Sequence, residues 1–216
     1  MSVTNLEQPL TASQIGWRGG ASPFGMGRRK LGMWLFILSD SMTFGALLAG
    51  YVYLRMASEK WPKPFALWPE ITLATIMTVC LLASSLTMSK AVSAASSGER
   101  KTMRRWMLAT VVGGLAFVTL HLFEWHHQLG EGLRISPTRY FVPDEAYILE
   151  NMFGPTFFTL TGFHLLHVLS GVIYIGVIAL RRKATREDVE TCGLYWQFVD
   201  AVWLVIFAAV YLFSMK

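Results

Sequence analysis

Residues 151–180 contain no Asp, Glu, Lys or Arg. A helix needs roughly 20 predominantly apolar residues to cross a hydrocarbon core, so a charge-free run of this length is a membrane crossing before it is anything else. A second long apolar run, 191–215, follows it. Together with earlier stretches of the same kind, they predict five spanning helices at about 31–54, 71–91, 106–128, 154–180 and 194–213. Short connections make this an up-down bundle forming one domain, residues 30–216. The chain is 53% hydrophobic and 15% charged, where soluble domains carry about 25% charged residues. No repeat of 20–50 residues and no low-complexity tract breaks the pattern.

The charges sort by side. Of the 19 Lys and Arg residues, thirteen fall on the N-terminal side. They are Arg18, Arg28, Arg29 and Lys30; Lys90, Arg100, Lys101, Arg104 and Arg105; and Arg181, Arg182, Lys183 and Arg186. Arg55, Lys60, Lys63, Arg134, Arg139 and Lys216 lie on the other side. Basic residues mark the cytoplasmic face, which places the N-terminus inside and the C-terminus outside. Distributed this way, the net charge of +5 reads as an orientation signal and not as a nucleic-acid surface. In the basic loop before Trp106, a bound anionic lipid headgroup is a secondary use. The outside loop 129–152 is acidic, with Glu131, Asp144, Glu145 and Glu150, and Trp61 and Trp68 stand where interfacial aromatics belong. Residues 1–29 are polar and lack the apolar core of a signal peptide, so an uncleaved, partly mobile cytoplasmic arm is expected. Cys80 and Cys192 form no C-x-x-C pair and indicate neither a disulfide framework nor a thiolate metal site.

Polar residues inside the spans fall on helical stripes: Phe36, Asp40, Thr43 and Leu47; Gly114, Phe117, His121, Glu124 and Gln128; His164, His167, Gly171 and Tyr174; Trp196, Asp200, Trp203 and Phe207. An ionisable group facing lipid is costly, so the four faces are expected to converge on each other or on a partner. The second span offers Ser84, Ser85, Thr87 and Ser89 instead, suited to close packing and interhelical hydrogen bonds.

His121-x-x-Glu124 and His164-x-x-His167 each put two potential ligands on one face, with His126 and His127 near. A di-iron site needs Glu-x-x-His on two helices plus two further glutamates, and this spacing does not supply it. A hydrogen-bonded structural network is the preferred reading, with a heme- or metal-binding electron carrier as the alternative from another class. Intramembrane acids also mark proton relays, here through Asp40, Glu124, His167 and Asp200. An anchoring role for helices, lipid or neighbouring subunits is preferred over a pathway. Asp200 is expected to be the most purely structural, because Trp196 and Trp203 flank it and both can donate N–H bonds. A transporter would show a pseudo-repeat.

Several segments, in order, resemble heme-copper oxidase subunit III: residues 30–40 (KLGMWLFILSD), 81–87 (LLASSLT), Phe123-Glu124-Trp125, Thr161-Gly162-Phe163-His164 with His167-Val168, and Tyr195-Trp196-Gln197-Phe198-Val199-Asp200-Ala201-Val202-Trp203. The resemblance covers residues 30–214 and matches the short five-helix bacterial form; longer relatives add two N-terminal helices. Asp40 stands where many members have Glu, Leu165 replaces a Gly between the histidines, and Gln197 replaces a His, keeping hydrogen bonding but losing titration.

The resemblance implies a subunit without a redox centre in a terminal oxidase that reduces oxygen to water coupled to proton translocation. It implies that heme and copper reside in partner subunits I and II, with this chain packed on subunit I, a small subunit IV possible, and phospholipid bound. By position, Asp40, Glu124, His164, His167, Glu190 and Asp200 would line the lipid cleft or the subunit I contact, with no catalytic or metal-binding residue among them. It implies a multi-pass protein of the bacterial plasma membrane, within reach of a larger supercomplex. Asp40 and the Glu-Trp-His-His run at 124–127 are similar to the ubiquinol-oxidase branch, whereas Glu190 and Gly193 before Tyr195 are similar to the cytochrome c branch, which is favoured. A nitric-oxide-reductase-associated relative is a third possibility. The charge asymmetry makes a direct prediction: a cysteine at Ser97 reacts with an impermeant thiol reagent only from the cytoplasmic side, and one at Ser136 only from outside. The reverse pattern would contradict the orientation.

Overall fold

The computed structural model describes residues 27–58, 61, 71–142, 147–182 and 184–213. Five helices are long and apolar enough to cross a membrane: α1 (Arg28–Ala57), α2 (Thr72–Ser96), α3 (Arg100–Gly130), α4 (Phe153–Leu180) and α5 (Arg186–Ile206). A six-residue π-helical turn, Phe207–Leu212, continues α5. Between α3 and α4 lies an antiparallel hairpin, β1 (Thr138–Val142) with β2 (Tyr147–Asn151), pairing Thr138 with Asn151 and Val142 with Tyr147. The all-helical bundle expected from the apolar runs is present; the hairpin is an addition in the acidic connection.

The helices outrun the apolar stretches that predicted them, because Arg, Lys and Glu are good helix formers and carry the helix into the headgroup region. The effect is largest at α5, predicted from residue 194 and observed from Arg186. A capping box starts it: the Thr185 hydroxyl accepts from the Asp188 amide at 3.2 Å, and the Asp188 carboxylate accepts from the Thr185 amide at 3.0 Å. Glu187 and Asp188 add negative charge to the first turn, where the helix dipole favours it.

Up-down order is visible in the contacts between ends. Arg29 pairs with Asp188, and Lys30 Nζ lies 3.2 Å from Glu190 Oε2, joining the first turns of α1 and α5. Arg100 Nη1 donates to the Arg182 carbonyl at 3.5 Å, joining the α2–α3 and α4–α5 loops at that same end. At the opposite end Arg55 donates to the Phe213 carbonyl. Trp61 stands there edge-on to Tyr51 and Phe153, each ring centroid 5.6 Å away, and is half-buried against the bundle. Trp68 lies outside the described residues.

Within the bundle α5 is the hub, packed on α1, α2 and α4, while α3 packs on α2 and α4. Small residues set the approach. A Cβ on Gly114 of α3 would meet Val172 at 2.5 Å and Trp196 at 2.7 Å; one on Gly113 would meet Ser84 at 2.8 Å. Outward faces are apolar, with Leu38, Met42, Leu86, Val112 and Leu166 exposed to what is lipid or a partner in the membrane. The first helix is the least enclosed, burying only Asp40, Phe44 and Tyr51. Phe36 and Thr43, expected on its inward stripe, are exposed. Contact along one narrow strip admits Asp40, Phe44 and Tyr51 and leaves the rest outside.

Gly114→Ala should destabilise the bundle by about 1–3 kcal/mol, since the added methyl collides with Trp196 and Val172 in a packed core. Gly176→Ala, which meets nothing within 4 Å, should leave thermal unfolding in detergent unchanged or slightly improved. Equal melting of the two variants would contradict the packing of α3 on α4 and α5.

Candidate functional site: polar clusters inside the bundle

The seam between α2 and α5 is a ladder of side-chain hydrogen bonds. Trp203 Nε1 donates to Thr78 Oγ1 at 3.0 Å, Trp196 Nε1 donates to Ser84 Oγ at 3.0 Å, and the Ser85 hydroxyl donates to Asp200. Thr78 and Ser84 in turn donate to their own helix, at the Ala74 and Leu81 carbonyls, so their lone pairs are free to accept the indoles. Gln197 Nε2 donates to Ser89 at 3.5 Å, so hydrogen bonding is kept where the resemblance has a histidine. On the other side of α2, Thr87 and Thr110 of α3 lie 2.8 Å apart. The hydroxyls of α2 therefore do the joining expected of them. The flanking tryptophans, however, do not satisfy Asp200: both direct their indole N–H groups to hydroxyls of α2.

A second cluster joins α1 to α4. His167 Nε2 lies 3.2 Å from Asp40 Oδ1, and His167 Nδ1 lies 2.8 Å from the Phe163 carbonyl. A carbonyl only accepts, so Nδ1 carries a hydrogen. The Nε2–Oδ1 contact then contains one proton, on the imidazole or on the carboxyl, and the pair is neutral in both cases. That neutrality is what makes an acid and a base tolerable in a spanning segment. Phe44 and Phe163 pack on the His167 ring at 5.2 and 4.7 Å. Tyr195 of α5 reaches the same place, donating to the His167 carbonyl at 3.1 Å with Ser170 at 2.7 Å from its hydroxyl.

The third cluster lies among α3, α4 and α5. His121 Nδ1 is 3.6 Å from Glu124 Oε2, and both side chains are fully buried. His121 stacks on Phe117 at 5.5 Å and His164 on Trp203 at 5.2 Å, so an aromatic ring covers one face of each imidazole. Trp125 Nε1 donates to Thr161 at 3.2 Å, tying α3 to α4 beside them. The Tyr211 hydroxyl faces the Glu124 carboxyl. Tyr211, four residues beyond Phe207 and so on the continuation of the α5 stripe, is not among the residues singled out from sequence. It sits in the π turn with its ring 6.1 Å from Trp203. No motif in the sequence announces a π turn.

The four faces thus do not converge on one network. Asp40 with His167 and Glu124 with His121 are separate, with Phe44 between His167 and His164. Bulky aromatics fill the centre where a single polar network was expected. Glu190 is at the basic end, paired with Lys30 and with Arg186 Nε at 2.6 Å, away from the other five predicted residues. Among the described residues, no group of three or more His, Cys, Asp or Glu is placed to hold a metal ion.

Fold and clusters define a multi-pass membrane protein whose intramembrane polar groups engage one another across helix contacts. The model of the cytochrome c oxidase subunit III family matches residues 15–215. Cytochrome c oxidase subunit 3 of Thermostichus vulcanus is 32% identical over 193 residues, 86% of this chain and 88% of that protein. Probable quinol oxidase subunit 3 of Staphylococcus saprophyticus is 31% identical over 86% of this chain and 89% of its own length. Cytochrome c oxidase subunit 3 of Alkalihalophilus pseudofirmus is 32% identical over 88% and 89%. The chain belongs to the cytochrome c oxidase subunit III family and is a subunit of a heme-copper oxidase, associated with other oxidase subunits.

Because Asp40 and His167 share one proton, removing either partner leaves the other unpaired. Asp40→Asn and His167→Gln should each lower thermal stability in detergent. The double variant should recover part of the loss, with a coupling of about 0.5–3 kcal/mol. Strict additivity in a double-mutant cycle would show that the pair is not a unit.

Proposed function

We propose that this chain is a non-redox subunit III of a bacterial plasma-membrane terminal oxidase that reduces oxygen to water coupled to proton translocation. It supports the catalytic subunit I and sustains its turnover and proton uptake. Heme and copper belong to subunits I and II; subunit I is the direct partner, with subunit II, a small subunit IV and a larger supercomplex as further associations. The observation that carries the reading is the use of the buried polar groups: the ladder to α2 and the Asp40–His167 pair join helices, and both imidazoles of the third cluster are covered by aromatic rings. The family's usual non-redox role agrees with it.

The basic end is the cytoplasmic end in this reading, by its excess of Lys and Arg. It carries two adjoining cavities suited to an anionic lipid phosphate. One of about 430 Å³ is lined by Gly98, Arg100, Met103, Thr185 and Arg186, and one of about 270 Å³ by Arg100, Lys101, Arg104, Arg181 and Arg182. Arginines at this depth hold a phosphate by charge-assisted, bidentate hydrogen bonds. The first helix, with most of its surface uncovered by its own chain, offers the face for subunit I. Cytochrome c is the favoured electron donor, from the segment around Glu190 and Tyr195; the staphylococcal relative named as a quinol oxidase subunit supports quinol as the second reading.

The test is Asp40→Ala and Glu124→Ala in the assembled complex. The heme spectrum should be unchanged and initial oxygen consumption should stay within a few-fold of normal, while activity decays faster during sustained turnover or the subunit is lost in detergent. Immediate loss of oxygen reduction with the complex fully assembled would place these carboxylates in the catalytic proton path and overturn the accessory role.

A further inference from the structure

Asp200 is buried, 4% exposed, near the middle of a spanning helix, and among the described residues the Ser85 hydroxyl donates to its Oδ2. Its second oxygen, Oδ1, has no hydrogen-bond partner among the described residues. The two tryptophans that could have satisfied it donate to Ser84 and Thr78 instead. A buried carboxyl oxygen left open in this way calls for a water or a proton.

A route to that oxygen begins at the basic end. A groove of about 290 Å³ runs among α1, α2 and α5, lined by Lys30, Ser89, Val92, Glu190, Gly193 and Gln197. It is far larger than the roughly 10–15 Å³ that one water needs. The Lys30–Glu190 ion pair lines it at the basic end, and Gln197, exposed and bonded to Ser89, lines it about two turns further along α5. Gln197 precedes Asp200 by three residues, a rise of roughly 4.5 Å along the axis, and Ser89 is one turn from Ser85. Glu190, Gln197 and Asp200 thus follow one stripe of α5, at i, i+7 and i+10, with Ser89 and Ser85 along the facing edge of α2. Asp200 therefore lies about one helical turn beyond the lining of the groove.

We propose that Asp200 is a proton-exchanging carboxyl connected to the solvent of the basic end through the α2–α5 groove. A groove water passes its proton to Oδ1, turning carboxylate into neutral acid and leaving hydroxide that solvent reprotonates; the reverse step restores the carboxylate. Ser85 goes on donating to Oδ2 in both states, so the seam survives the change of charge. Among the described charged groups on elements packed around α5, Lys30 is engaged with Glu190, Arg29 with Asp188, His167 with Asp40 and Arg55 with the Phe213 carbonyl, while Lys90 lies over Trp106 and His164 stacks on Trp203. Asp200 therefore has water, not a fixed cation, as its proton partner. The inference rests on this chain's own geometry and is independent of the electron donor.

The test is infrared difference spectroscopy of the purified oxidase complex stepped between acid and alkaline pH, and between H2O and D2O. Asp200→Asn should remove one carboxyl signal that the unaltered complex shows. Gln197→Leu, which removes the polar lining residue nearest Asp200, should keep that signal at equilibrium but slow its appearance and its deuterium shift about tenfold or more, equivalent to roughly 1.4 kcal/mol on the barrier. If Asp200→Asn complexes lose the subunit, Asp200→Glu assigns the signal by its changed frequency and Gln197→Leu still decides. A spectrum with no signal assignable to Asp200, or unaltered kinetics in Gln197→Leu, would overturn the proposal. Initial oxygen consumption measured on the same samples separates that failure from a failure of the accessory role.

Discussion

Hydrocarbon offers no hydrogen bonds, and this is the constraint on which the structure depends. Every N–H, hydroxyl and carboxyl carried into the bundle must find its partner on another helix, on its own backbone, or in trapped water. The α2–α5 ladder shows how that requirement shapes the packing. Trp196 and Trp203 are long enough to reach across the seam, Ser84 and Thr78 donate backward and accept sideways, and the pairing fixes both the rotation and the depth of α5 against α2. Individually such bonds are worth about 0.6–2 kcal/mol in membranes. Their larger effect is on register, because a slip of one residue would leave several of them unmade at once. Once α5 is placed, α1 and α4 dock on its other sides and α3 closes over α4.

The same constraint separates the polar groups by task. Asp40 and His167 form a neutral pair by sharing one proton, which suits them to the exposed side of the bundle where α1 is thinly packed. Glu124 is enclosed with His121 and Tyr211 under aromatic rings. Glu190 is at the surface, where ion pairs with Lys30 and Arg186 join two helix ends. Asp200 combines deep burial with an open oxygen about one turn beyond the α2–α5 groove. A subunit of an oxidase that holds its carboxyls in such different environments can anchor helices with most of them and still exchange protons through one.

The helices and the polar stripes of α3, α4 and α5 were legible because apolar period and length are decided by the membrane, not by neighbouring residues. His121, Glu124 and Gln128 point inward as their spacing required. The stripe of α1 departs from its spacing: with contact on one narrow strip, Phe44 and Tyr51 go in while Phe36 and Thr43 stay out. The partners of Trp196 and Trp203 were also beyond sequence, since proximity along the chain says nothing about which way an indole N–H points. The hairpin of β1 and β2 needed strand pairing that its short, mixed sequence does not advertise. The family, by contrast, was readable from segments whose order and spacing matched, independently of any contact.

The central claim is that this chain holds its helices and its partners in place and does no redox chemistry. Stripping the subunit from the purified oxidase, then measuring metal and heme content together with oxygen consumption over successive turnovers, tests it most directly. The account predicts unchanged heme and copper per catalytic subunit and near-normal oxygen reduction in the first turnovers. Progressive inactivation should follow, and adding the subunit back beforehand should prevent it. Loss of stoichiometric metal or heme with the stripped chain, or no oxygen reduction from the first turnover, would contradict it.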